Sequence, residues 1–286
     1  MRVGFVGLGT IGAHMARNLL DGGFEEVVVY DLRAEPCDAL AREGAKVAGD
    51  LRELGTRADV IGVCVRDDAE VEAVVCGEGG LLEGAARGTV LAIHSTVHPR
   101  TVQRLGERAA DRGVAVIDAQ ISGGVPGTQS RSLTCMVGGE QAAVDRARPA
   151  LETSSSTIFH CGGLGMGAIA KLCNNLLGWL GYTAGTEALL LARAAGLDND
   201  VLMDVTRSTG HMTPAMAQVN PGRLTAEEHA DDAEFQRFFG HTVALAEKDL
   251  AVTLDLAREL GVALPASALA RQLAARTFGL ADPKRR

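Results

Sequence analysis

The sequence is poor in lysine: of 28 basic residues only four are lysines (Lys46, Lys171, Lys248 and Lys284), and the other 24 are arginines. Aromatic residues are scarce too, at 3% of 286 residues with a single Trp, and the net charge is -8. A chain with neither a basic stripe nor a stacking platform is not built to bind nucleic acid. The short basic end, Lys284-Arg285-Arg286, reads as a frayed tail. Long hydrophobic runs are absent: the most apolar stretch, Leu176 to Ala195, carries Glu187 and Arg193, so it falls short of the ~18–20 apolar residues of a membrane span. The six cysteines contain no C-x-x-C pair and have no His at metal-ligand spacing. That argues against a disulfide framework or a structural zinc, and for reduced, mostly buried small hydrophobes. Met1-Arg2 leads straight into the strand-like Val3-Gly4-Phe5-Val6 without a small-residue cleavage site, so a signal peptide is not expected. The expectation is a soluble, cytoplasmic protein.

What is present is glycine, 35 residues of it, and 47% hydrophobic content, enough for a large core in one or two domains. From Arg2 to about Cys161, β-branched runs alternate with helical patterns, as in an α/β domain with a largely parallel sheet. The candidate strands are Arg2 to Val6, Glu26 to Tyr30, Val60 to Val65, Val90 to His94, Val114 to Asp118, Leu133 to Val137 and Thr157 to His160. The last two are spaced differently and extend the sheet rather than belong to its central βαβ units. After Gly162-Gly163-Leu164-Gly165 no strand candidate follows. Leu172, Leu176, Leu180, Thr183, Glu187, Leu190, Leu191 and Ala194 trace a mostly apolar stripe along a helix of about 30 residues that starts near Gly165 and stops at Gly196. Further helices are expected over Asp198 to Arg207, His241 to Leu260 and Ala266 to Phe278. The fold class is therefore an α/β Rossmann-type N-terminal domain, residues 1–163, followed by an all-α C-terminal domain, residues 164–286. The long helix carries Gly178, Gly181 and Gly185, a small-residue spacing that would let another helix approach closely, as at a subunit interface, the alternative being a core helix within one protomer.

Gly7-Leu8-Gly9-Thr10-Ile11-Gly12 matches G-x-G-x-x-G directly after an apolar strand and at the opening of a helix, and Asp31 closes the next strand 19 residues after Gly12. In that context the hexamer reads as a dinucleotide site. The first glycine permits the tight turn, the second lets a pyrophosphate approach the backbone, and the third lets helix and strand pack closely. Phosphate then rests on the helix N-terminus. Asp31 can accept hydrogen bonds from ribose hydroxyls and repel a 2′-phosphate, while Arg33, two residues on, could reach one. The balance favours NAD, with NADP as the alternative.

Three other segments carry candidate chemistry. Asp118 to Gly124 runs from a strand end into a donor-rich loop, where the Ser122 hydroxyl and the backbone N–H groups of Gly123 and Gly124 could hold a carboxylate. Lys171, Asn174 and Asn175 stand at i, i+3 and i+4 of the long helix and share one face. Two adjacent Asn inside an apolar helix oppose local propensity, and a lysine near a helix start opposes the dipole. A lysine with its stem buried there is suited to proton transfer. Glu247-Lys248-Asp249-Leu250 is a charge cluster within the helix from His241.

Together, GLGTIGAHMARNL at Gly7 to Leu19, DAQISGG with SLTCMVGG at Asp118 to Gly139, GMGAIAKLCNN at Gly165 to Asn175 and EKDL at Glu247 to Leu250 resemble the β-hydroxyacid dehydrogenase family, whose best-known member is 3-hydroxyisobutyrate dehydrogenase. The resemblance covers essentially the whole chain. It implies hydride transfer between NAD(P) and the alcohol of a small 3-hydroxy acid. Lys171 would then be the catalytic acid/base, Asn175, beside Asn174, would position the substrate, and Ser122, Gly123 and Gly124 would bind its carboxylate. Ser95-Thr96 would lie near the nicotinamide ribose, with Val65 at a neighbouring strand end, and Lys248 would close over the cofactor. The resemblance also implies a homodimer or homotetramer through the helical domain. The chain departs from the family pattern at Gln120, where Pro is usual, and at Arg131-Ser132, where Gly-Thr is usual. His211-Met212 falls in the segment that usually shapes the far end of the substrate. A short-chain semialdehyde reductase using NADPH, an imine reductase and a non-catalytic dinucleotide-binding protein are the alternatives.

Overall fold

The structure, a computed structural model, describes residues 1–224 and 232–280. The Lys284-Arg285-Arg286 tail lies outside the described residues. The chain divides into two compact units, Met1–Lys171 and Leu172–Arg286.

In the first unit the order is β1 (Arg2–Val6), α1 (Gly12–Leu20), β2 (Glu26–Tyr30), α2 (Ala34–Arg42), β3 (Lys46–Val47), α3 (Leu51–Arg57), β4 (Val60–Val63), α4 (Asp68–Cys76), α5 (Leu81–Gly84) and β5 (Val90–Ile93). There follow α6 (Pro99–Ala110), β6 (Ala115–Ser122), α7 (Gly124–Gln129), β7 (Leu133–Gly138), α8 (Gln141–Glu152) and β8 (Ser155–Gly162). The eight strands form one sheet in the order β3-β2-β1-β4-β5-β6-β7-β8. It is parallel through β6, β7 runs antiparallel to β6, and β8 is parallel to β7. The first six strands have the doubly wound order that reverses between β1 and β4, the place where such sheets open a crevice at their carboxyl ends.

Strands covered on both faces read as continuous apolar runs, and β4 and β5 are buried throughout. Alternation along each strand supplies two cores. Val60, Val90 and Ala92 join one with Phe5, Met15 and Leu19; Ile61, Val63, Leu91 and Ile93 join the other with Leu54, Val102 and Leu105. Lys46 sits in β3, a two-residue edge strand paired with β2 and too short to carry an alternation signal. Arg131, where the family pattern has Gly, adopts a left-handed φ of 57° and pairs with Asp21. A glycine there would reach the same conformation without a Cβ penalty.

The long helix α9 spans Met166–Ala194, 29 residues. It is followed by α10 (Asn199–Ser208), α11 (Pro214–Leu224), α12 (Ala233–Leu260) and α13 (Pro265–Thr277). The buried face of α9 differs from the expected stripe: Leu172, Thr186, Leu189 and Ala192 are buried, whereas Glu187 and Leu191 are exposed. Of Gly178, Gly181 and Gly185 on α9, the last two serve packing inside the chain rather than an approach by a second copy. A Cβ at Gly181 would lie 2.0 Å from Cε of Met216, and one at Gly185 would lie 2.2 Å from Nδ2 of Asn220, both on α11, while Gly178 faces open space. The scarce aromatics concentrate here: Trp179, Tyr182, Phe235, Phe239 and Phe278 make one cluster. No helix among the described residues is long and apolar enough to cross a membrane, and all six cysteines are free.

His94 follows β5 inside the first core, stacked 5.8 Å from Phe5 with its Nδ1 2.7 Å from the Ala119 carbonyl oxygen. Complete burial holds its pKa down to about 4 against the opposing backbone bond. Because the unfolded chain takes up that proton near pH 6.5 and the folded chain does not, this residue costs stability as pH falls from about 6.5 to 4, by about 1.4 kcal/mol per pH unit. Urea unfolding at pH 7.5 and 4.5 is expected to show a loss smaller by about 2.5 kcal/mol in His94→Gln than in wild type; equal losses in the two proteins would remove His94 as the source.

Candidate active site

The fingerprint glycines have three different physical reasons to be glycine. Gly7, just after β1, has φ of +90°, and a Cβ there would lie 2.3 Å from the Cys64 carbonyl oxygen beyond β4. A Cβ at Gly12 would lie 1.9 Å from the Gly7 carbonyl oxygen, so only glycine lets α1 begin so close to the end of β1. Nothing of the protein stands within 4 Å of a Cβ at Gly9. Its missing side chain leaves open room over the loop, the space a pyrophosphate needs. Helix α1 has no side-chain cap hydrogen bond and no acidic residue in its first turn, which leaves its positive end to an anion. Leu8 is buried, Ile11 is half-buried and Thr10 is exposed.

Asp31 directly follows β2 and grips this loop. Its Oδ2 accepts the Leu8 N–H at 2.6 Å, and its Oδ1 accepts the backbone N–H and Nε–H of Arg33 at 2.9 and 3.1 Å. Burial pushes the carboxyl up, but the bonds from Arg33 and Leu8 outweigh it and hold Asp31 below the usual carboxylate range. Arg33 also donates to the Leu8 carbonyl oxygen at 3.2 Å. The structure thus joins the two residues that bear on cofactor choice in one ion pair at the loop. Further along the carboxyl edge, the buried Ser95 accepts the Val65 N–H on its hydroxyl oxygen at 2.8 Å, which ties the ends of β4 and β5 together. Thr96 beside it is half-buried. An open cradle, a helix N-terminus and an ionised carboxylate just after β2 fit a dinucleotide.

Strand β6 outruns its parallel neighbour. It pairs with β5 as far as Asp118 and with β7 from Asp118 to Ser122. The chain then turns through Gly123 (φ 134°) and Gly124 (φ 60°) into α7, a reversal that needs left-handed residues. Ser122 is half-buried, and Gly123 and Gly124 are exposed. Asn18 of α1 holds the far side of this segment by donating to the Thr128 carbonyl oxygen at 2.9 Å and to the Ser154 hydroxyl at 3.1 Å. Gln120, where the family pattern has Pro, is buried and donates to the Ile93 carbonyl oxygen at 3.1 Å.

Lys171 lies in the second turn of α9 and is only 9% exposed. In the second unit, Asn174 is exposed and Asn175 half-buried. Asn175 donates through Nδ2 to Oδ2 of Asp249 at 2.7 Å, and Asn174 donates to Oδ1 of Asn175 at 3.4 Å. Asp249 is 1% exposed and has the Lys248 ammonium 3.2 Å from its other oxygen. Lys248 therefore belongs to a partly buried network rather than to an exposed charge cluster. Asp249, which orients the Asn175 amide, escaped the sequence reading; its only signal was its place in Glu247-Lys248-Asp249-Leu250. His211 is exposed, with Nδ1 2.9 Å from the Thr209 hydroxyl, whereas Met212 packs into a small core with Leu189, Met203 and Met216. Among the described residues, no group of three or more His, Cys, Asp or Glu could hold a metal ion.

Residues 2–163 match the family described as the NAD binding domain of 6-phosphogluconate dehydrogenase, and residues 165–282 match the NAD-binding domain of NADP-dependent 3-hydroxyisobutyrate dehydrogenase. A 3-hydroxyisobutyrate dehydrogenase of Pseudomonas aeruginosa is 34% identical over 271 residues, 95% of this chain and 90% of that protein. The chain belongs to the β-hydroxyacid dehydrogenase family. A second family member from Pseudomonas aeruginosa, an NAD-dependent L-serine dehydrogenase, is 34% identical over 272 residues, again 95% of this chain and 90% of the relative. Among solved structures, Mycobacterium tuberculosis 3-hydroxyisobutyrate dehydrogenase with L-serine superposes with a TM-score of 0.81 at 29% identity, covering 96% of this chain and 92% of that one. As a β-hydroxyacid dehydrogenase the chain uses NAD(P), and the cradle from Gly7 to Gly12 fits it.

Removing the Asp31 carboxylate, as in Asp31→Ala, is expected to raise the Michaelis constant for NAD by roughly 10-fold or more, the worth of a charge-assisted hydrogen bond. The constant for NADP should change less or fall, because a repulsive charge is also lost. Steady-state kinetics with both cofactors check this, and unchanged constants for both would exclude Asp31 from cofactor recognition.

Proposed function

We propose that this protein is a 3-hydroxyisobutyrate dehydrogenase-like enzyme that reversibly oxidises the alcohol of a small 3-hydroxy acid, with Lys171 as the acid/base. The burial of that lysine near the start of α9 carries the proposal. An amine held in a buried position on a helix is placed to give and take a proton with a substrate hydroxyl as a general acid/base. A guanidinium in its place could not do so, which is a reason for lysine in a chain that otherwise uses arginine. The substrates named for the two Pseudomonas relatives, 3-hydroxyisobutyrate and L-serine, both carry an alcohol on the β-carbon, two carbons along from the carboxylate carbon.

The Ser122 hydroxyl and the N–H groups of Gly123 and Gly124 hold the substrate carboxylate. Asn175, oriented by Asp249, positions the hydroxyl, with Asn174 beside it and His211 toward the far end of the substrate. In oxidation the Lys171 amine accepts the hydroxyl proton as the C–H bond breaks; in reduction its ammonium returns that proton to the forming alkoxide. NAD(P), when bound, takes up or supplies the hydride. Gly7, Leu8, Gly9, Thr10, Ile11 and Gly12 would cradle its pyrophosphate, Asp31 and Arg33 would take the adenosine ribose, and Val65, Ser95 and Thr96 would take the nicotinamide side; Lys248 is the cofactor residue proposed from the helical unit. The ionised Asp31 supports NAD over NADP. Residues 1–163 are the cofactor domain, and residues 164–286 are the substrate and oligomerisation domain. Leu177 and Leu191 on α9, 70% and 72% exposed, support a homodimer or homotetramer formed through the helices. The cytoplasm is the proposed location.

Lys171→Ala is expected to lower turnover at least ~10²-fold, the low end for general acid–base catalysis, with NAD(P) binding intact by fluorescence titration. Near-wild-type turnover would overturn the assignment. A screen of NADH and NADPH formation across 3-hydroxy acids tests the substrate class; silence throughout, with cofactor binding confirmed, would favour a non-catalytic dinucleotide-binding protein.

A further inference from the structure

Asp118 is the only acidic residue in β6, is completely buried, and has no part in the chemistry above. Its Oδ1 accepts the N–H of Gly165 at 2.8 Å, and its Oδ2 accepts the N–H of Ala168 at 2.6 Å. Both donors belong to the start of α9. Two glycines make room for the carboxylate. A Cβ at Gly138, opposite Asp118 in the β6–β7 pair, would lie 2.5 Å from Oδ1, and one at Gly167 would lie 2.8 Å from Oδ2. Burial pushes this carboxyl above the usual range, while the N–H groups of Gly165, Ala168 and Gly167 pull it back. A carboxylate that satisfies the otherwise unpaired donors of a helix start is a cap with a charge on it. It is supplied by a strand rather than by the residue that precedes the helix.

The place of this cap in the chain gives it a second consequence. Four residues after Asp118 along β6, roughly 13 Å of strand, comes Ser122 with Gly123 and Gly124. Three residues after Ala168 along α9, roughly 4.5 Å of helix, comes Lys171. The carboxylate is the junction from which both arms extend. We propose that Asp118 is a positioning residue, which fixes the Lys171 amine relative to the Ser122–Gly124 loop by holding the first turn of α9 against β6. The assignment rests on the proton-transfer role of Lys171. It follows from the sensitivity of proton and hydride transfer to geometry, in which a displacement of about 1 Å can cost ~10²-fold in rate.

A double-mutant cycle on the full chain with saturating NAD(P) tests this. Asp118→Asn keeps the size of the side chain but sets an NH2 group against one of the two N–H donors. In the wild-type background it is expected to lower kcat at least 10-fold, with cofactor affinity and circular dichroism unchanged. In the Lys171→Ala background it should lower the residual kcat less than 2-fold, because the group it positions is gone. Equal losses in both backgrounds would mean general structural damage, and a wild-type kcat in Asp118→Asn would mean no role; either overturns the assignment. Should Asp118→Asn not fold, Asp118→Ser, which is smaller and can accept from one of the two donors, goes through the same cycle. Near-wild-type turnover by Lys171→Ala alone would remove the proton-transfer reading, and this assignment with it.

Discussion

The closeness of α1 to the end of β1 is the constraint on which the cofactor end of the molecule depends. The helix can start where it does only because residue 12 has no side chain to meet the Gly7 carbonyl and residue 7 has none to meet the Cys64 carbonyl. A single methyl group at either position would push the helix outward, and with it the N–H groups that face an anion. The sheet imposes this crowding. Its order reverses between β1 and β4, so the chain leaving β1 must turn directly over the neighbouring strand. Asp31 completes the arrangement from β2 by taking the Leu8 N–H and so fixing the loop from its other side.

Polar groups are placed in the rest of the molecule by a related economy. Each buried carboxylate in the candidate site takes N–H donors that the fold would otherwise leave without partners, or orients a side-chain amide. Asp118 does the first for the start of α9, and Asp249 does the second for Asn175. A buried charge of this kind is tolerated only when its hydrogen bonds are made. Such residues therefore hold geometry firmly, because leaving the geometry would cost them their partners. The helical unit relies on apolar contact instead, and gathers the few aromatics into one cluster around Trp179 and Phe278.

Much of this was legible in the amino-acid order. The strands from β1 to β8 other than β3 announce themselves as β-branched runs, and the odd spacing of the last two matches their antiparallel turn at β7. Helix α9 was readable almost to its ends, because between Gly165 and Gly196 apolar residues recur at helical spacing and no strand candidate intervenes. The misses have local causes. Strand β3 has two residues and no periodicity. Helix α11 contains Asn220-Pro221-Gly222, a run that reads as a turn. The start of α12 lies eight residues before His241, on the far side of Gly240, which reads as a break in a helix. The small-residue spacing on α9 was legible as close packing but not as to its partner, which is α11 of the same chain at Gly181 and Gly185.

The division between the two kinds of information follows sequence distance. The order of residues by itself determined the dinucleotide cradle, the Lys171, Asn174 and Asn175 face, and the α/β-then-helical plan, because each depends on spacings within a few turns or one strand-turn-helix unit. Tertiary structure alone decided that Asp118 would cap α9 across 47 residues and that Asp249 would hold Asn175 across 74. A carboxylate takes its role from the donors that surround it, and those donors arrive from elements whose meeting no local pattern records.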